Sequence, residues 1–422
     1  MSHSSEPAVG HGHGHGPVPA VPVRPAARIA LILVLVVVAG VTGLGLVKLW
    51  PDHATPKNDF AAPGVTFPKA DVGTVLPTCK KVGEAQAGGA NPTCGAISVT
   101  PTSGSGKGRA VLVLVPPEVS TSGLRRGDVV KLQQIPASGG QPASYSYFAI
   151  ERDLPMGALA IVFVLVVAFV ARLRGLLSLV ALGFGGFVLV KFMLPALLLG
   201  KPGLAVGMVG CATIMYVVLY LAHGVSLRTS AALAGTLAGI GLTSLIGVVA
   251  IDQSRLSGVG DETGALLSGF APSLDFQGLF TCAVIVAGLG VLNDVTITQA
   301  SAVWELRSAA PGMGRNELFA SAMRIGRDHI ASTIYTIVFA YAGAALTVLL
   351  LISSYDQSIL TLLSTEELSE EIIRTLASGI GLVLAVPITT AIAVFTVGAQ
   401  AGRATRRGGP VRRAYDENGL PV

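Results

Sequence analysis

Charge is scarce in this chain. Asp, Glu, Lys and Arg make up only 13% of its 422 residues, against about 25% in ordinary soluble domains. The catalytic signatures GxSxG, HExxH and CxxC do not occur. Their absence removes the sequence case for the chemistries they carry, so the chain is read as a non-enzyme with no cofactor. Gly104-Ser-Gly106-Lys107-Gly108 lacks both the spacing of a phosphate loop and a Ser or Thr after the lysine, and reads as a flexible turn.

What is present is apolar sequence, 51% of all residues, and it falls in runs. A transmembrane helix needs about 20 mostly apolar residues. Eight runs come close to or exceed that length: Ile29–Leu49, Leu154–Ala171, Leu176–Leu199, Leu204–Ala222, Thr229–Ile251, Leu279–Ser301, Ile330–Ile352 and Ile380–Val397. They are apolar all round, without the one-sided stripe of a soluble helix. The first run follows Arg24 and Arg28, is long, and precedes no small-residue cleavage site before Trp50 and Pro51, so it reads as a retained anchor. Gly235 and Gly239, and the cluster at Gly183, Gly185 and Gly186, let helix backbones approach closely.

The formal net charge of +5 does not point to nucleic acid, because the basic residues sit in tails and connections beside apolar runs. Counted by side, Arg172, Arg174, Arg228, Arg307, Arg315, Arg324 and Arg327 share one face of the membrane with the basic tail 401–422. The opposite face carries fewer cations and collects Asp252, Asp261, Glu262, Asp275, Glu366, Glu367, Glu370 and Glu371. The positive-inside rule then places both termini in the cytoplasm. The expected fold is an α-helical integral membrane bundle of about eight transmembrane helices with a small extracytoplasmic β-rich domain. Residues 1–27 form a disordered cytoplasmic His/Gly/Pro tail and 28–50 the first transmembrane helix. The β-rich domain spans 51–154, a seven-helix bundle 155–400, and a cytoplasmic tail 401–422. In the first tail His11, His13 and His15 alternate with glycine, a weak metal-binding pattern that low-complexity sequence also produces.

In the soluble segment the first part reads as loop. Strands are expected at Ala96–Val99, Ala110–Val115, Asp128–Leu132 and Ser144–Ile150, bounded by turn residues. Cys79 and Cys94 would close a short Gly- and Pro-bearing loop. Outside the cytoplasm a disulfide is expected, the alternative being two free thiols. Cys211 and Cys282 lie inside apolar runs and read as packing residues.

The segment Gly288–Glu305 carries apolar sequence into polar sequence without a break. On a helix Asp294, Thr298, Ser301 and Glu305 recur at i, i+4, i+7 and i+11 and share a face, with Asn293 beside it. Asp294 lies about 15 residues beyond Leu279, roughly 22 Å along the axis, past the midplane of a hydrocarbon core of about 30 Å. A carboxylate there is costly unless paired or hydrated, and its usual uses are cation coordination, proton relay or substrate contact. The alternative is a hydrated structural residue in the interface. Arg324, Arg327, Asp328 and His329 open the next run and are candidate partners for Asp294 and Glu305. Asp328 reads first as a helix N-cap and His329 as an interfacial residue able to titrate near neutrality. His223 before Gly224 reads as a helix C-terminus.

The same residues carry a resemblance. Gly288–Leu306, Ala222-His-Gly-Val-Ser-Leu-Arg-Thr-Ser230, and Gly326-Arg327-Asp328 followed by Ala340-Tyr341-Ala-Gly343 resemble the YibE/F family of bacterial multispanning membrane proteins. Arg126-Gly127-Asp128-Val129-Val130 and the Glu151-Arg152-Asp153 exit into a helix also fit. The resemblance implies topology, a soluble domain ahead of a helical bundle in the bacterial plasma membrane, and no activity. Two functions compete. One is a permease-like protein moving a small solute or ion along the Asp294 face. The other is a non-transporting assembly or sensing protein whose outer domain binds an envelope partner. A lipid-acting membrane enzyme is a third reading without a recognisable constellation.

Overall fold

A computed structural model describes residues 21–51, 64–76, 95–104, 106–137, 142–271, 273–354 and 358–398. The Cys79–Cys94 pair, the alternating histidines and the tail 401–422 lie outside them. The described residues divide into two compact units, one within Met1–Pro56 and Leu177–Val422 and the other within Lys57–Leu176.

The smaller unit holds five antiparallel strands, β1 (Lys69–Val75), β2 (Ala96–Pro101), β3 (Val111–Leu114), β4 (Val129–Ile135) and β5 (Ser144–Ile150), with the short helix α2 (Pro117–Thr121). The strand order is β3-β2-β1-β4-β5. β3 also lies against β5, so the sheet curls on itself. Alternating residues from each strand, among them Ala70, Val72, Ile97, Val99, Val113, Val130 and Leu132, fill an apolar core. Four strands fall where period-two patterning put them. The central strand β1 occupies sequence read as loop. Its alternation is interrupted at Gly73, where the pairing with β2 shifts register between Val72 and Thr74. Such a bulge hides a strand from a strict two-residue period.

β5 runs into helix α3 (Asp153–Val188) across a charged junction. Lys69 Nζ lies 3.0 Å from Glu151 Oε1 and Lys131 Nζ 3.2 Å from Glu151 Oε2, and both lysines reach Asp153 Oδ2 at 4.0 and 3.9 Å. A hydrogen bond with Asp153 first, then one with Lys69, holds the Glu151 carboxyl down to about 2. The Glu151 hydrogen bond raises Lys69 above its ordinary value.

Six helical elements among the described residues are long and apolar enough to cross a membrane, the kinked stretch Asp153–Leu198 counting as one of them. The runs Leu154–Ala171 and Leu176–Leu199 are two helices meeting at a kink, so the division read from the sequence holds there. The break falls at Arg172, whose φ of 52° and ψ of −140° are non-helical, and the second helix continues through a π-turn at Leu189–Met193 into α4 (Leu194–Leu198). The run Ile330–Ile352 is also divided. Its first part belongs to α9 (Arg315–Ala344), whose N-terminal half is charged, and the rest forms α10 (Leu346–Ser353), too short to span.

The remaining helices of the larger unit are α1 (Pro25–Leu49), α5 (Gly203–His223), α6 (Leu227–Ser254), α7 (Glu262–Phe270), α8 (Phe276–Ala309), α11 (Ile359–Leu363) and α12 (Glu366–Thr396). Two ends emerge. At one, the start of α1 meets the end of α12, where Arg24 N–H donates to Thr396 O at 3.2 Å. The end of α5 meets the start of α6 there, with the Tyr220 and Ser230 hydroxyls 2.9 Å apart. α5 closes at His223 and Gly224, the glycine at φ 78°, as its sequence signals. At the other end, Gln277 of α8 donates to Leu256 O at 3.2 Å, and Ser257 N–H donates to Glu366 Oε1 at 2.6 Å. The first end carries Arg24, Arg307 and Arg315, the second Asp252, Asp261, Asp275, Glu366, Glu367, Glu370 and Glu371. The arginine-bearing end is termed basic and the other acidic.

Candidate functional site

α6 lies antiparallel to α8 and α12, and missing side chains let the three approach closely. Gly239 faces Leu292 and Ala385, and Gly247 faces Val284. Gly235 abuts Thr389, and Gly381 abuts Thr243. A Cβ at Gly203, where α5 begins, would overlap the backbone of Gly278 in α8.

The interior these helices enclose is partly polar. Thr236 Oγ1 lies 2.6 Å from Thr296 Oγ1 and donates to Ala232 O at 3.0 Å. Gln299 Nε2 donates to Thr390 Oγ1 at 2.7 Å and to Ala322 O of α9 at 2.9 Å. Thr389 and Thr390 donate to Ala385 O and Val386 O, each at 2.7 Å, so their hydroxyl protons are used in-helix and their lone pairs point into the interface. Pro387 removes one N–H from the α12 ladder between them and the helix middle. Thr243 is fully buried and its Oγ1 has no hydrogen-bond partner, and Asn293 Oδ1 is likewise buried and unpartnered. Such groups are rare because an unmatched buried polar atom costs about 1–3 kcal/mol. The result is a seam of neutral oxygens through an apolar bundle.

Two cavities open at the acidic end. One, of about 380 Å³, is lined by Asp252, Gln253, Asp275, Gln277 and Thr281 among others. The second, of about 250 Å³, is lined by Asp261, Glu367, Glu370, Glu371 and Arg374 among others. Arg374 pairs with Glu371 at 2.7 Å and stacks over the Phe280 ring, 5.4 Å from its centroid.

The residues singled out in α8 keep to one face, but it is the outward one. Asp294 and Glu305 are exposed, whereas Asn293, Thr298 and Ser301 are half-buried. Thr298 spends its hydroxyl proton on Asp294 O at 2.7 Å. The buried face carries Leu292, Thr296, Gln299, Val303 and Arg307 instead. Arg324, Arg327 and Asp328 are exposed on α9, and none forms an ion pair with Asp294 or Glu305 among the described residues. Arg324 Nη2 donates to Ser321 Oγ at 2.8 Å. Asp328 is no N-cap, because α9 begins at Arg315, about four turns earlier. His329 is half-buried in mid-helix, its carbonyl accepting from Thr333 at 2.7 Å. Thr236, Thr243, Thr296 and Gln299 went unselected in the sequence, whereas Thr389 and Thr390 were marked only for following Pro387 in the last helix. For Thr296 and Gln299 the signal was the 4, 3, 4, 4 spacing of Leu292, Thr296, Gln299, Val303 and Arg307, a core seam by period.

The family model of YibE/F-like proteins matches residues 159–399, more than half of the chain. The chain belongs to the YibE/F-like family. No curated protein and no solved structure matches it. The YibE/F-like region takes in α5 to α12 and with them the whole polar seam, and it begins after the β-sheet. The family match and the apolar helices together mark a membrane protein.

Proposed function

We propose that this YibE/F-like protein is a multi-pass permease of the bacterial plasma membrane that moves a small cation or polar solute, with the acidic end outside and both termini in the cytoplasm. The observation that carries the reading is the seam of Thr and Gln oxygens between α6, α8 and α12, closed by a fully buried Thr243 hydroxyl without a partner. In lipid, polar side chains that face the bundle interior mark ion and substrate routes. Lone pairs released by in-helix hydroxyl bonds suit a cation that has shed part of its water, as rings of oxygens do in channels. The carboxylate-lined cavities at the acidic end would raise the local concentration of that cation.

Proteoliposomes holding the full chain test this with Na⁺, K⁺ and proton fluxes followed by dyes. Thr243→Val and Gln299→Leu are expected to lower the active flux at least tenfold while the protein still inserts. Flux lost in Asp294→Asn and kept in both seam variants would move the route to the exposed α8 face. Absence of flux for all three ions in the wild type counts against a cation permease, and capture of an envelope protein by the β unit would then favour the assembly or sensing reading.

A further inference from the structure

The basic end contains an arginine with no counter-charge. Arg307, in the last turn of α8, is 1% exposed, the largest fully buried side chain among the described residues. Its Nη1 donates to Pro311 O at 3.1 Å and Met313 O at 2.7 Å, which turns the guanidinium toward the loop leading into α9. Its Nε and Nη2 have no partner. Those two atoms form the side-on edge of the guanidinium, the fork whose parallel N–H groups take a carboxylate or phosphate with two bonds. Burying a charge with that edge unmatched is expensive, and breaking up a buried pair by removing one partner is among the costliest changes known.

The surroundings add positive charge. Arg24 and Arg315 are the charged groups whose fields reach Arg307. Burial first, then the Arg315 charge, pulls Arg24 below its ordinary basicity. Arg24 is held in place by a backbone clasp in which Val23 bridges Val397 and Gly398 N–H donates to Pro22 O at 2.6 Å. None of the three arginines forms an ion pair among the described residues. α9 begins beside them at Gly314 with no side-chain cap, so its first N–H groups and the positive end of its dipole face the same region. Four positive features thus converge, and Glu317, the acidic residue in the first turn of α9, forms no ion pair with these arginines among the described residues.

We propose that Arg307, with Arg24, Arg315 and the uncapped start of α9, forms a binding site for a phosphate-type oxyanion, taken either from the headgroup of an anionic phospholipid or from free inorganic phosphate. Arg307 supplies the bidentate edge and the two outer arginines guide the anion to it. The site lies apart from the polar seam's acidic cavities and stands whether or not the chain transports anything.

The test uses the full chain, delipidated in a neutral detergent, with native mass and thermal unfolding as readouts. The probes are inorganic phosphate, phosphatidylglycerol and phosphatidylcholine. The wild type is expected to hold one phosphatidylglycerol or phosphate at least tenfold more tightly than phosphatidylcholine, and to unfold at a higher temperature with it. Retention of the lipid alone assigns the headgroup, and an equal response to phosphate assigns the free anion. Arg307→Gln is expected to abolish the preference. Should that variant not fold, the double variant Arg24→Gln/Arg315→Gln, whose side chains lie outside the buried core, is expected to weaken it about tenfold. Wild-type protein that prefers neither anionic probe, or substituted protein that binds as the wild type does, overturns the proposal. So does binding that emerges only after residues 401–422 are removed, since the chain's own tail would then be the occupant.

Discussion

The two units of this molecule treat polar groups in opposite ways. The β unit centres its interior on apolar side chains, with Ile97, Val99, Val130 and Leu132 at 0% exposure and Gln134 its one buried polar residue among those described, and sets its charges at the rim, where Lys69, Lys131, Glu151 and Asp153 pair. The helical unit is apolar outside and carries hydroxyls and an amide within, while its charges sit mainly at the two ends. The difference follows from the solvent. In water, burying apolar area drives folding and polar groups are best left outside. Between helices in lipid that drive is absent, and close backbone contact and interhelical hydrogen bonds hold the bundle instead.

The comparison breaks most sharply at a helix contact. Gly203→Ala pushes a Cβ into the Gly278 backbone, which cannot turn aside as a side chain can. It is expected to destabilise the helical unit by about 3 kcal/mol or more, read as lost thermal stability in detergent. Gly183→Ala, with nothing within 4 Å, serves as the silent control. A smaller loss is expected in the sheet. Leu132→Ala removes a fully buried side chain at a cost of about 2–4 kcal/mol, and amide exchange should rise in β1, β4 and β5 while α6 and α8 stay protected. Spread of that exchange into α6 and α8 would show that the units do not unfold separately.

The smallest effect is set by pH. Glu151 titrates at about 2 in the folded chain against 4.5 for the ordinary group. Its stabilisation is therefore complete above about 4.5 and declines as pH falls toward 2. Acid should loosen the β5–α3 junction in that window, followed by amide exchange at Ile150–Asp153, and Glu151→Gln should flatten the response. An unchanged profile in the variant would remove the ion network as the cause.

How much of this could be read beforehand varied with the kind of signal. The helix ends at His223–Gly224 were visible, because capping is a local chemistry of two or three residues. The strand β1 was not, since one glycine and a register shift broke its alternation. α8 shows why the candidate site was harder still. Its apolar and polar residues are spread almost evenly about the axis, so no amphipathic stripe said which way Asp294 or Gln299 would turn.

The sequence alone determined that most of the apolar runs would become helices long enough to cross a membrane and that the family would be YibE/F-like. These depend on run length and position along the chain, which a one-dimensional reading contains. Only the tertiary structure decided that Thr236, Thr296 and Gln299 face inward while Asp294 faces out, and that Arg307 is buried with its bidentate edge unmatched. The rotation of a helix about its own axis is set by which neighbours can approach it, and here Gly235 and Gly239 of α6, with Gly381 of α12, set how α6 meets α8 and α12.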